Sequence, residues 1–137
     1  MSSTTTTTTV INRIDRERLL PHLGGGEFAS PQAQHLRWLL TNSRVVPPER
    51  IPGSIVTMNS TVRLRDTADD EEEVLTLVYP DALDGAPNAV SVLSPIGAAL
   101  FSSREGEAVR LIGARTSRSV VLEKIEFQPE REGQYTL

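Results

Sequence analysis

Ser94-Pro95-Ile96-Gly97-Ala98-Ala99-Leu100-Phe101 is the stretch on which the reading of this chain turns. Serine followed by proline is the pattern of a helix N-cap and first helical position: the hydroxyl can accept an orphan backbone N–H, and proline has no N–H to lose. The residues after it are almost all apolar, which predicts a short, buried helix. Gly97 sits inside that helix, where glycine costs about 1 kcal/mol relative to alanine. A helix that carries this cost is expected to need close backbone approach to a neighbour.

Strand patterns lie on both sides. Upstream, Ile55 to Arg65 ends in Val62-Arg63-Leu64-Arg65, apolar alternating with charged, as a half-buried strand requires. Glu73 to Tyr79 follows after a polar turn and stops at Pro80. Asp84-Gly85 and Pro87 mark a loop, and Ala89 to Leu93 is a third strand leading into the helix. Downstream, Ala108 to Ile112 and Ser119 to Gln128 are the last two strands. In the final one Lys124, Glu126 and Gln128 alternate with Ile125 and Phe127. The expectation is an α+β domain over 55–128: a five-stranded antiparallel sheet with one short helix.

The N-terminal third reads differently. Residues 1–9, MSSTTTTTT, are low complexity with nothing to bury, and are expected to be a disordered leader. Residues 10–45 are helix-like. The first helix is expected to start with Asp15 as N-cap, with Ile14 and Leu19 at the staple positions, and to stop at Pro21 and Gly24-Gly25-Gly26. The second has Ser30 as N-cap, Pro31 at the first helical position, and Ala33, Leu36, Leu39 and Leu40 on one face, running to about Ser43. Together they predict a short antiparallel helical hairpin. Residues 46–54 form a proline-rich linker, and 129–137 a polar, flexible tail.

Composition narrows the function classes. A chain of 137 residues has room for one domain, perhaps with a small appendage, and buries enough surface for a real core. It has no cysteine, which excludes disulfides, thiolate catalysis and cysteine zinc sites. Its 14 Lys and Arg against 18 Asp and Glu, a net charge of −4, argue against a phosphate-backbone gripper. Aromatic residues are only 4% of the chain, too few for a base-stacking platform. No direct sequence-specific nucleic-acid binding is expected. No run approaches the roughly 20 apolar residues of a membrane span, and the start carries no export pattern, so a cytoplasmic protein is expected.

No residue pattern carries catalytic or metal chemistry. His22 and His35 lack an HxxxH or HExxH spacing. Asp69-Asp70-Glu71-Glu72-Glu73 lacks the alternating ligands and central glycine of an EF-hand loop, and reads as a solvated hairpin tip. Gly24-Gly25-Gly26-Glu27 is followed by no Lys-Ser/Thr and preceded by no strand, so it is not a phosphate loop. No nucleophile elbow occurs. The expectation is no metal, no cofactor and no enzyme.

Three blocks of the sequence together resemble the C-terminal domain of the Gre transcript-cleavage factors: Val56 to Asp66, Leu75 to Pro80, and Ser91 to Leu100. Within that family the chain is most similar to a short-armed branch, the regulators of nucleoside diphosphate kinase, which Phe127-Gln128-Pro129-Glu130 and Tyr135 also resemble. The resemblance implies an FKBP-like curved antiparallel sheet with a short helix. It implies binding to bacterial RNA polymerase, against the largest-subunit coiled coil at the rim of the secondary channel. In Gre relatives an Asp-Ser-Pro segment before the short helix makes that contact. Here Leu93, Ser94 and Pro95 stand at those positions, and the implied contact surface is Leu93, Ser94, Pro95, Ile96 and Gly97. Leu93 departs from the aspartate. Gre factors also carry paired acidic residues at the tip of a long coiled-coil arm, which help position Mg²⁺. The tip here, between Leu20 and Ser30, holds one carboxylate, Glu27. The arm is therefore expected not to stimulate transcript cleavage. Two other classes remain open: a peptidyl-prolyl isomerase on the same scaffold, for which the aromatic supply is thin, and a generic module that takes a peptide strand at a sheet edge.

Charge divides unevenly along the chain. Residues 1–50 carry six arginines and four acidic residues; residues 51–137 carry eight cations and fourteen acidic residues. A mildly basic N-terminal segment thus joins an acidic domain, a distribution suited to docking on a protein surface.

Overall fold

In the computed structural model, which describes residues 9–24, 29–85, 87–113 and 119–135, the alternation at Val62 and Leu64 places both side chains in the core. They belong to β3 (Thr61–Asp66), the centre of a five-stranded sheet. β4 (Glu72–Val78) pairs antiparallel on one side and β7 (Ser119–Phe127) antiparallel on the other. β5 (Ala89–Ser91) and β6 (Ala108–Arg110) are the short edges, giving the order β5-β4-β3-β7-β6. α3 (Pro95–Leu100) follows β5, as the Ser-Pro signal requires. The class is α+β with a curled sheet.

The sheet departs from full antiparallel order at one edge. β5 pairs parallel to β4, with Thr76 opposite Ala89 and Val78 opposite Ser91. The connection after β4, which includes a 3₁₀ segment over Pro80–Gly85, brings the chain back so that β5 starts at the same end as β4. A parallel neighbour needs such a crossover, where a two-residue hairpin would suffice for an antiparallel one. Residues 55–60, expected within the first strand, are instead turns and an isolated bridge from Ile55 to Arg104, with Asn59 at a φ of 67°.

β7 is bent twice. Its register against β3 shifts between Arg63 and Leu64 and between Thr61 and Val62. Each shift inserts one extra residue, which bends the strand and changes which face the next side chain meets. Glu123 and Lys124 are therefore both exposed, while Leu122 and Ile125 are both buried. The second shift turns Gln128 fully inward, where alternation had expected an exposed side chain. Its Nε2 donates to the carbonyls of Pro52 and Ile55, each at 2.8 Å, and so holds the proline-rich segment.

The N-terminal third contains α1 (Arg13–Leu19) and α2 (Pro31–Asn42). Two strands the sequence reading missed flank them: β1 (Val10–Asn12) and β2 (Arg44–Val46), paired in parallel. Thr9, the one described residue of the expected leader, joins the same ladder: its carbonyl accepts from the Arg44 N–H at 2.9 Å. The rest of that leader, residues 1–8, lies outside the described residues. Leu19, Leu36 and Leu40 from this third form one core with Val62, Leu77, Leu100 and Leu122. α2 packs on α3.

Two helix-end expectations are corrected. The N-cap of α1 is Asn12, whose Oδ1 accepts the Ile14 N–H at 2.8 Å; Asp15 lies inside the helix and is buried. The start of the segment from 129 is not a loose tail. Pro129–Glu132 forms a 3₁₀ turn, closed by Gly133 at a φ of 74°, with Pro129 and Glu130 buried.

Candidate functional site

Ser94 works twice at the start of α3. Its Oγ accepts the Gly97 N–H at 3.0 Å and donates to the Ser91 carbonyl at 2.7 Å. The hydroxyl thus caps the helix and ties it to the end of β5. Ser91 Oγ in turn accepts the Leu93 N–H at 3.0 Å. These bonds fix a tight turn from Ser91 to Gly97. The glycine has the expected reason. A Cβ on Gly97 would lie 2.8 Å from the Ser91 carbonyl carbon and closer still to its oxygen. Only a residue without a side chain lets α3 approach β5 this closely.

The structure brings the five residues Leu93 to Gly97 together as one short turn and helix start. Gly97 is buried; Leu93, Ser94, Pro95 and Ile96 are half-buried. Leu93 and Ile96 rest on the core with part of each side chain outward. The result is a small, mostly apolar surface whose two serine hydroxyls are engaged inside the turn. It can present shape and apolar area to a partner, and it offers no nucleophile or general base.

A second assembly was not legible from spacing. Asp15, Asn12, Thr57, Ser60, Tyr79 and Glu130 come from four separate stretches and are all buried. Glu130 accepts from Asn12 Nδ2 at 2.6 Å and from Thr57 Oγ1 at 2.7 Å. Thr57 also pairs with Ser60, through its N–H to Ser60 Oγ and hydroxyl to hydroxyl, each at 3.0 Å. Asp15 accepts the Met58 N–H at 3.1 Å and the Tyr79 hydroxyl at 3.3 Å. Burial pushes the Asp15 carboxyl up to about 7, helped by the nearby negative charge of Glu130; the Met58 N–H, the Tyr79 hydroxyl and Arg18 pull the other way. Burial, with the Asp15 charge beside it, also raises the Tyr79 hydroxyl. One local signal was available. Asn12-Arg13-Ile14-Asp15 has capping-box spacing, with an acid three residues after the cap. The acid, however, reaches across to Met58 rather than back to its own cap.

The remaining singled-out residues have structural surroundings. His22 stacks at a tilt near Tyr79, ring centres 6.0 Å apart, and His35 is half-buried on α2, where burial lowers its affinity for a proton. In the acidic run, Asp70 pairs with Arg65 at 2.9 Å, Glu72 with Arg63 at 3.7 Å, and Asp69 accepts the Glu71 N–H. Exposed pairs like these contribute about 0–1 kcal/mol each. Glu27, the expected arm tip, lies outside the described residues. Trp38 is 60% exposed and lines a shallow groove on α2 with Ala29, Gln34, Arg37, Thr41 and Asn42.

Comparison with known proteins places these observations. Residues 51–127 match the family described as transcription elongation factor, GreA/GreB, C-terminal. The regulator of nucleoside diphosphate kinase of Escherichia coli strain K12 is 38% identical over 133 residues, covering 95% of this chain and 97% of that protein. The transcription elongation factor GreA of Thermodesulfovibrio yellowstonii is 29% identical over 101 residues, 74% of this chain and 64% of that protein. Among solved structures, a prokaryotic transcription elongation factor GreA/GreB from Nitrosomonas europaea superposes with a TM-score of 0.74. It is 33% identical and covers 89% of this chain and all of that one.

Proposed function

The chain belongs to the GreA/GreB transcription elongation factor family, and on that premise we propose that it is a non-catalytic regulator of transcription that binds bacterial RNA polymerase near the secondary channel. In this reading the domain, of the FKBP-like kind, holds the channel rim through Leu93 to Gly97, against the largest-subunit coiled coil. The helices of residues 10–45 act as a short arm. The protein works in the cytoplasm, where its polymerase is.

The observation that carries the reading is the Ser94-capped turn within the matched region. It is rigid, part-exposed and apolar, the make-up of a small anchor at a protein interface. Leu93 in place of an aspartate makes the contact depend on buried apolar area rather than on a charged hydrogen bond. No stimulation of transcript cleavage is proposed, because positioning Mg²⁺ calls for more than one carboxylate and the sequence between Leu20 and Ser30 has one.

The test is a titration of the fluorescently labelled protein with core RNA polymerase. The expected result is saturable binding at micromolar concentration or tighter, displacement by a GreA factor, and no increase in transcript cleavage in stalled complexes. Absence of binding by the folded protein at those concentrations would overturn the proposal. Binding accompanied by stimulated cleavage would overturn the part assigned to the arm.

A further inference from the structure

The turn that carries Leu93 to Gly97 is fastened to the N-terminal helices by a two-bond relay. The Ile112 N–H donates to the Pro95 carbonyl at 3.1 Å. The Ile112 carbonyl in turn accepts from Gln32 Nε2 at 2.8 Å. Gln32 is the second residue of α2, and Pro95 the first of α3. The strip 111–113 therefore joins two helix starts that lie more than sixty residues apart in sequence.

The next residue keeps the relay open. Gly113 has a φ of 74°, in the left-handed region that favours glycine. A Cβ there would lie 2.7 Å from Gln32 Nε2 and 3.1 Å from the Pro31 Cβ. The backbone conformation and the missing side chain both make room for the Gln32 amide. Gln32 is half-buried, so its bond competes with water less than an exposed one would.

We infer that Gln32 is a positioning residue: through Ile112 it holds Pro95, and so sets the Leu93–Gly97 surface and helix α2 as one rigid face toward the partner. The inference rests on the docking role proposed above for that surface. A partner gripping the turn then also fixes the direction of the N-terminal helices. Without the relay the turn keeps its own Ser94 cap but can shift against α2, and ordering it on binding lowers affinity.

Four variants test this: Gln32→Met, which keeps length and loses the donor; Gln32→Arg, which restores a donor; Gly113→Ala, which crowds the amide; and Leu93→Lys, which puts a cation on the surface itself. The readouts are hydrogen exchange at the Ile112 amide in the free protein, the urea midpoint, and affinity for core RNA polymerase. One hydrogen bond is worth about 1 kcal/mol, so a change of about fivefold is expected. Gln32→Met and Gly113→Ala should speed Ile112 exchange and weaken polymerase binding by about that factor. Gln32→Met should lower the urea midpoint only slightly, by the loss of this one bond, and Gln32→Arg should keep exchange and affinity near wild type. A role in stability alone predicts the same small loss of midpoint for Gln32→Met, but wild-type affinity once folded. If Leu93→Lys weakens binding while Gln32→Met leaves exchange or affinity unchanged, the positioning inference fails alone. If Leu93→Lys leaves binding unchanged, the docking reading fails and takes this inference with it.

Discussion

Replacing Asp15 with asparagine should make the protein less sensitive to alkali. Asp15 is buried, 5% exposed, and its carboxyl is pushed from the ordinary 3.8 up to about 7, chiefly by that burial. The folded chain therefore holds this proton more tightly than the unfolded chain does. Its contribution to stability is fully present below about pH 4, declines as pH rises, and is gone above about pH 7. Three units at 1.36 kcal/mol each amount to about 4 kcal/mol across the whole range. Between pH 5 and pH 8 the loss is roughly 2–3 kcal/mol, because part of it has already occurred by pH 5. Asparagine fits the same place: its Oδ1 can accept the Met58 N–H, and its amide can donate to a rotated Tyr79 hydroxyl. It carries no charge at any pH. Urea unfolding of both proteins at pH 5 and pH 8 isolates this one group, since all other titrations are shared. The stability of Asp15→Asn relative to wild type should rise by roughly 2–3 kcal/mol from pH 5 to pH 8, a relative midpoint shift of about 1–2 M urea. A difference that stays constant with pH, or that shrinks, would refute the argument that burial dominates at Asp15.

Other substitutions probe the same contacts. Glu130→Gln removes the negative charge beside Asp15 and should narrow the pH dependence of wild-type unfolding, measured in the same urea series. Gly97→Ala forces a Cβ onto the Ser91 carbonyl and should cost about 3 kcal/mol, more than alanine's helix propensity returns; thermal unfolding would show it. Ser94→Ala removes the α3 cap and its bond to Ser91, and should lower stability by about 1 kcal/mol with no change in far-ultraviolet dichroism beyond one short helix. Deleting residues 129–137 removes Glu130 and leaves Asn12 and Thr57 buried without their acceptor, so it should destabilise the whole domain by about 2–5 kcal/mol in urea unfolding. A free tail would be lost at no cost.

Local pattern was sufficient for the starts of α2 and α3 and for the core face of β3. Ser30-Pro31 and Ser94-Pro95 start helices α2 and α3 with the hydroxyl on the N–H three residues on. Val62 and Leu64 alternate into the core, and Gly97 is empty of side chain because a neighbouring backbone passes there. The proposed contact surface, Leu93 to Gly97, is local for the same reason: one turn, closed by its own serines. Period-two alternation, however, reports only which face a side chain takes. It says nothing of which strand lies alongside or in which direction, so the parallel pairing of β5, the register shifts of β7 and the ladder of β1 with β2 were not in it. Asp15, Gln128 and Glu130 show the same limit in polar form. Each has the composition of a surface residue and is buried because its partners, 43, 73 and 118 residues away respectively, arrive only when the chain folds. Sequence determined the helices, the central strands and the family. The tertiary structure alone decided which polar groups leave water, because a buried charge or amide is tolerated only where distant donors and acceptors converge on it.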